Sequence, residues 1–373
     1  MAMIDLAPTL LENVNTDDGA ALWTSCGAAA LTGRRSGPPL SGPRGVAPSM
    51  RALADRLRML TTHLGNEVHV DGPALLSERA AITGHRRQGT TSCGGASRLV
   101  EASDGWVAVS LARDEDVAAV PAWLEADLYP SDLVAIEREM RRRPVAELVE
   151  RASLLGIPCS ALGEVTLPLI PAHRLGDAPQ TTSLAGLVVV DLSSLWAGPL
   201  CGRLLAAARA RVLKVESTTR PDGARRGPRE FFELMNAGKE SVMLDLSGAD
   251  GRSELRRMID SADVVIEASR PRALQQMGID AAEFRGRVWL SITSHGRDQP
   301  MRVGFGDDAA VAGGLVTYDE QGPVFAADAA ADPITGLMGA VAVLDRLASG
   351  GRWLIDLALS HAAALATNPP APR

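Results

Sequence analysis

Two periodicities divide the chain. From residue 184 onward, short β-branched runs at 188–192, 212–216, 242–246, 264–267, 288–292 and 353–357 alternate with stretches whose apolar positions recur every three or four residues. The stretch 199–210 reads as a helix, and Leu255, Met258, Ile259 and Ala262 share one face of another. Such alternation predicts an α/β fold, a parallel sheet covered by helices on both faces. A further helical pattern (Leu337, Ala340, Val341, Leu344, Leu347) is headed by Asp332-Pro333. Asp before Pro there suits an N-cap with Pro at the first helical position.

The first half reads differently. Residues 1–20 look like a loose N-terminus, and helical spacing appears at 50–64. A Gly-, Ser- and Thr-rich loop covers 84–100, and two β-rich runs flank Asp104-Gly105, a dipeptide suited to a hairpin turn. Residues 115–156 read as helical, with Arg138 and Arg141 to Arg143 on a solvated face. The Pro- and Thr-containing stretch 166–183 reads as a linker between a smaller α+β segment, 20–165, and a large domain, 184–373.

Composition narrows the function classes. At 373 residues the chain exceeds one growing core, which suits two domains. Aromatic content of 3% and a net charge of −7 argue against nucleic acid and anionic membranes as partners. No run of 18 apolar residues occurs. Four scattered cysteines without a CxxC, and no secretory signal, read as free thiols in the cytoplasm. Six scattered histidines offer no metal-ligand spacing. The first strand-to-helix turn, Ser193 to Gly202, lacks GxGxxG, and no GxxxxGK[ST] occurs, so a Rossmann-like sheet here names no ligand.

Asp332 therefore has two meanings. One is a helix cap. The other is a carboxylate at a helix start among small residues, available as a nucleophile.

Several stretches fall in a recognisable order: Leu187-Val-Val-Val-Asp-Leu-Ser-Ser-Leu-Trp-Ala-Gly-Pro199, Val212-Leu-Lys-Val-Glu216, Leu234-Met-Asn-Ala-Gly-Lys-Glu-Ser-Val-Met-Leu-Asp-Leu246, Ala262-Asp-Val-Val-Ile-Glu-Ala-Ser-Arg-Pro271, Ala331-Asp-Pro333 and Gly350-Gly-Arg-Trp-Leu-Ile-Asp-Leu357. Together they resemble the large domain of the class III CoA-transferases, the family of formyl-CoA transferase, carnitine CoA-transferase and α-methylacyl-CoA racemase. Asp104-Gly-Trp-Val-Ala-Val109 and Glu147 to Pro158 resemble that family's small domain, which normally follows the large-domain half, so the order is inverted. A faint internal repeat sets Gly37-Pro38 and Pro48 against Gly322-Pro323 and Pro333, with Ala47 standing where the second copy has Asp332. The chain reads as a permuted member, or the remnant of a tandem fusion, whose pieces reassemble one fold.

The resemblance implies a CoA-transferase whose Asp332 attacks an acyl-CoA thioester. A mixed anhydride and then an aspartyl-CoA thioester follow, before a carboxylic acid takes over the CoA. It implies Leu195, Trp196 and Ala197 against the pantetheine, with contacts around Leu244, Asp245, Ala268 and Ser269. CoA is then a substrate, no cofactor is covalently bound, and a homodimer, interlocked or simply paired, is the implied assembly. Eight basic and two acidic residues between Arg203 and Arg229 suit the CoA phosphates, with Lys214, Arg220 and Lys239 as the chosen contacts. Gly313 and Gly314 read either as an oxyanion loop or as a tight turn. Trp196 stands where formyl-CoA transferases have glutamine, a helix-ending glycine is replaced around Arg209, and Phe305 stands where the racemase has its histidine. Phenylalanine carries no proton, which disfavours racemisation. The rival readings are a racemase or isomerase using another base, and a CoA-binding protein without catalysis.

Overall fold

The computed structural model describes residues 2–268 and 271–370, with residues 271 and 272 described by backbone alone. A strand, β1 (Met3–Asp5), and a short helix, α1 (Ala7–Leu10), precede three helices, α2 (Gly19–Ser25), α3 (Val46–His63) and α4 (Leu75–Thr83). The hairpin β2 (Ser97–Glu101) and β3 (Trp106–Ser110) turns at Asp104-Gly105 and leads to α5 (Asp114–Leu124), α6 (Leu133–Met140), α7 (Val145–Leu155) and β4 (Cys159–Ala161). After β5 (Pro171–Gly176) the alternation begins: β6 (Val188–Asp191), α8 (Ala197–Ala207), β7 (Arg211–Ser217), α9 (Arg229–Met235) and β8 (Glu240–Leu244). It continues through α10 (Ala249–Asp260), β9 (Val264–Glu267), α11 (Pro271–Gln276) and β10 (Val288–Thr293). Then come α12 (Gly306–Ala312), the hairpin β11 (Val316–Asp319) and β12 (Gly322–Phe325), α13 (Ala331–Ser349), β13 (Arg352–Ala358) and α14 (Leu359–Thr367).

The large sheet has the order β1-β5-β13-β10-β9-β6-β7-β8. From β13 to β8 all pairings are parallel, while β5 runs antiparallel to β13 and β1 antiparallel to β5. The six parallel strands thus form a doubly wound sheet whose winding reverses between β6 and β9. Alternate residues feed its two faces: Val264 and Ile266 join one core, Val265 the other.

Two expectations fail here. Residues 1–20 are not loose, since β1 pairs in the sheet and Leu6, Leu10 and Leu11 are buried. Residues 166–183 are not a simple linker, since β5 lies inside them. Pro171 opens that strand, where a missing N–H is tolerated, so its composition masks its conformation.

The packing also divides the segment 20–165. Trp23, Met50, Leu53, Leu57 and Leu76 belong to the same core as Leu337, Val341 and Leu344. Residues 97–161 form a separate unit, a three-stranded sheet under Trp123, Ile136, Met140 and Leu148. Val311, Val316 and Phe325 join it to the large domain through Leu99 and Ala108. Cys93, Cys159 and Cys201 are buried free thiols, one in each of three different surroundings, and Cys26 is half-buried.

Helix α13 is buried on nearly every side and packs against α8, α3 and α14. A Cβ at Gly336 would lie 2.6 Å from the Ala197 carbonyl oxygen and 2.8 Å from Leu200 Cβ, so glycine sets the α8–α13 approach. Helix α3 starts as α13 does: Ala47 and Asp332 are second residues, and Pro48 and Pro333 third. The faint repeat is thus a pair of helices packed on each other. Arg209, past the end of α8, adopts φ +76°, the left-handed conformation that favours glycine.

Gly336→Ala should destabilise the protein by about 1–2 kcal/mol, because the added methyl must push the Ala197 backbone away. Urea unfolding checks this, and an unchanged midpoint would show that the two helices can separate freely.

Candidate active site

A cavity of about 220 Å3 opens where the parallel strands end. Ser194 and Leu195 follow β6, Ala268 follows β9, Thr293 and Ser294 close β10, and Leu359 follows β13; all line it. Carboxyl ends of strands at the reversal of winding are where doubly wound sheets leave a crevice for ligands. The opposite wall comes from 299–305 and from Arg113, beside the small unit.

Asp332 lines this cavity. It is not an N-cap: α13 begins at Ala331, the cap position is Ala330, and Pro333 is the third helical residue. Among the described residues its carboxylate has no hydrogen-bond partner, so the side chain is not used in holding the helix end. Gly306 opens α12 directly against it; a Cβ there would overlap Asp332 Oδ2 and lie 2.6 Å from the Ala329 carbonyl oxygen. Removal from water pushes the Asp332 carboxyl up to about 7; Arg79 pulls it down, and Asp307, Asp308 and Asp328 push it further up.

Those acidic neighbours are themselves engaged, Asp308 and Asp328 buried and Asp307 half-buried. Asp308 accepts from the Phe305 N–H and the Ser110 hydroxyl, both at 2.8 Å, yet burial drives it up to about 7. Asp307 accepts from the Ser97 hydroxyl at 3.0 Å and the Ala329 N–H at 3.1 Å. Asp328 is fully buried, and against that burial Arg79 and His85 hold it down at about 2.

Of the residues singled out from the sequence, the structure gathers Asp332, Leu195, Ala197 and Ala268 around one cavity. Others lie elsewhere, for physical reasons. Trp196 is 1% exposed beneath the turn, edge-on to Phe231 and under the Arg79 guanidinium. Lys214 is buried and donates to Asp222 and the Ser193 carbonyl. Lys239 donates to Asp191, the Pro199 carbonyl and Asn236. Both lysines brace the turn from within and have no ammonium to offer a phosphate. Arg220 is exposed on the loop before Asp222, whose carboxylate accepts from the Leu195 N–H at 2.9 Å. Leu244 and Asp245 end the edge strand β8 away from the cavity lining. Ser269 lies outside the described residues. Gly313 ends α12 against α14 and Gly314 turns the chain at φ +75°; neither lines the cavity, so the tight turn is what they form.

Sequence reasoning missed Gly306, Arg79, Arg113 and Arg302. Gly306 carried a signal, since glycines flank Phe305 just before two aspartates. Arg79 and Arg302 carried none, because their partners are remote in sequence, and the nearby Asp116 made Arg113 read as an ordinary local ion pair. Arg113 and Arg302 line the cavity; Asp116 and the Gly156 carbonyl hold the first, Glu164 and the Cys159 carbonyl the second. Arg113 keeps Nη1, and Arg302 keeps Nε and Nη1, with no protein partner among the described residues. Phe305 lines the same wall, whereas His295 is buried between Ser160 and Glu164.

A carboxyl near 7 when folded and near 4 when unfolded binds its proton more tightly in the folded state. Stability is then lost as pH rises from about 4 to about 7 and stays lowered above that. Asp332→Asn should raise stability by about 1–3 kcal/mol at about pH 8 and hardly at all at about pH 4. Denaturant midpoints at the two pH values check this; an equal gain at both would exclude the titration as its source.

The family described as CoA-transferase family III matches residues 184–371, half of the chain. An acyl-CoA transferase of Fusarium pseudograminearum is 31% identical over 46% of this chain and 42% of its own length. A succinate–glutarate CoA-transferase of Agrobacterium fabrum is 32% identical over 47% and 50%, respectively. A succinyl-CoA–D-citramalate CoA-transferase of Chloroflexus aurantiacus is 27% identical over 46% and 48%. The chain thus spans about half the length of the curated relatives it matches. With the family match covering the sheet that builds the cavity, this chain belongs to CoA-transferase family III.

Proposed function

We propose that this chain moves CoA between an acyl-CoA thioester and a carboxylic acid, with Asp332 as nucleophile. The observation that carries the reading is a carboxylate with no partner among the described residues, lining a cavity at the strand ends where the sheet reverses its winding. The names of the relatives, transferases acting on CoA thioesters and acids, support it.

The chemistry follows from the groups around the cavity. Ionised Asp332 attacks the thioester carbonyl, the C–S bond breaks, and CoA thiolate leaves an acyl–aspartyl anhydride. The thiolate attacks the aspartyl carbonyl and releases the donor acid, leaving CoA on Asp332. The acceptor carboxylate repeats the two steps in reverse, displacing CoA thiolate to an anhydride and then receiving it, so Asp332 is regenerated. Nη1 of Arg113 and the Nε and Nη1 of Arg302, without partners among the described residues, suit the carboxylates that enter and leave. A volume of about 220 Å3 suits the thioester end of CoA and a small acyl group. The nucleotide end then rests outside, near Leu195, where Arg220 and Arg226 are exposed on adjoining loops. Phe305 in the wall supplies no proton, which tells against racemisation.

Wild-type protein incubated with an acyl-CoA and a free acid should exchange CoA between them. Asp332→Ala should lose more than about a thousandfold of that rate, and hydroxylamine added during turnover should convert Asp332 to a hydroxamate seen by mass spectrometry. Because the ionised form attacks, kcat/KM should rise with pH to a plateau above about 7. Undiminished exchange by Asp332→Ala would refute the reading.

A further inference from the structure

The N-terminal helices carry no residue that the proposed chemistry consumes, yet one of them reaches the nucleophile's own loop. Arg79, on α4, grips the buried Asp328 carboxylate with two hydrogen bonds, Nε at 2.9 Å and Nη2 at 2.5 Å. His85 Nδ1 lies 3.3 Å from the same carboxylate. Asp328 stands four residues before Asp332, within one turn of the α13 start. The Arg79 guanidinium also stacks on the Trp196 ring, 4.7 Å from its centroid, and Trp196 is flanked by two cavity residues, Leu195 and Ala197. One side chain therefore ties the loop that delivers Asp332 to the turn that forms the facing wall.

That loop needs holding. Ala327 and Ala329, on either side of Asp328, have φ of +60° and +44°, a left-handed conformation that alanine rarely adopts. Such backbone persists where its surroundings over-determine it. Here Thr32 Oγ1 accepts from the Ala327 N–H at 3.1 Å, Cys93 Sγ donates to the Ala327 carbonyl at 3.5 Å, and Asp307 accepts from the Ala329 N–H. Four of the five side chains holding 327–329 (Thr32, Arg79, His85 and Cys93) come from the first hundred residues, outside the large-domain segment. A buried ion pair is weak as a source of stability but strong as a constraint on geometry.

We propose that Arg79 is the positioning residue for Asp332: by clamping Asp328 and stacking on Trp196 it fixes the left-handed loop that aims the nucleophile into the cavity. It is also the cation closest in kind to a counter-charge there. Asp332 faces Arg79 from α4, Asp328 from its own loop, and Asp307 and Asp308 from α12, with Arg113 and Arg302 across the cavity. Three carboxylates raise its proton affinity, and Arg79 opposes them.

This inference rests on Asp332 being the nucleophile, and its test separates the two claims. In the full chain, Arg79→Met should lower kcat for CoA exchange by about a hundredfold, leave KM for acyl-CoA within about twofold, and move the acidic limb of kcat/KM upward by about one pH unit. Arg79→Lys keeps the charge and loses the two-pronged grip, so it should hold the limb in place while recovering part of kcat. Independently of activity, 13C-carboxyl NMR, with the Asp332 signal assigned through Asp332→Asn, should show the same upward titration shift in Arg79→Met. An Asp332 titration unchanged in Arg79→Met, or wild-type kcat in Arg79→Lys, overturns the proposal. A shifted titration in a protein whose wild type exchanges no CoA strikes the proposed function and leaves the clamp standing. Should Arg79→Met fail to fold, the kcat and pH limb of Arg79→Lys decide the matter.

Discussion

The approach of α13 to α8 governs this molecule. Gly336 removes the side chain that would separate them, with Leu200 lying against Gly336 and Cys201 against Gly339. Close packing of that kind is not adjustable by small amounts, because protein interiors behave as solids on average. The turn at the head of α8 and the first turn of α13 are therefore held at a fixed separation, and the cavity is what lies between them and the wall 299–305. A surface loop could not hold a carboxylate there with the same precision.

The site is costly to the fold, and the cost is met nearby. Asp332 is half-buried without a hydrogen bond among the described residues, with half-buried Asp307 and buried Asp308 behind it. Arg79 offsets part of that cost, and the surrounding ion pairs make the geometry hard to change. Lys239 with Asp191, and Lys214 with Asp222, lock the turn after β6 from below. Arg79 with Asp328 locks the loop before α13 from the side. Buried pairs break expensively when one partner is removed, which suits them to this role. Natural sites commonly keep such locally unfavourable groups where chemistry needs them.

Much of the fold was legible in the sequence because β-branched runs and helical spacing are local signals. The parallel strands and α8, α10 and α13 fall where periodicity predicts them. What failed were judgements that depend on remote partners. Residues 171–176 look like linker because of Pro171, and only the presence of β13 and β1 beside them makes a strand. Lys214 and Lys239 look like phosphate ligands within a basic stretch, but Asp222 and Asp191 occupy them. Asp332 itself was legible as two alternatives, and the start of α13 two residues earlier than the N-cap reading requires is what separates them. Arg79 was illegible, since 249 residues separate it from Asp328.

The three enclosed thiols have a practical consequence. Cys201 lies in α8, in the central core, Cys159 within the small unit, and Cys93 against the Ala327 carbonyl. Burial leaves each of them in the unreactive protonated form. A thiol-reactive reagent can modify each one when its own surroundings open, so the chain contains three native reporters of where it first comes apart. Their order of modification would distinguish loosening of the small unit, release of the loop before α13, and global unfolding, with no label introduced.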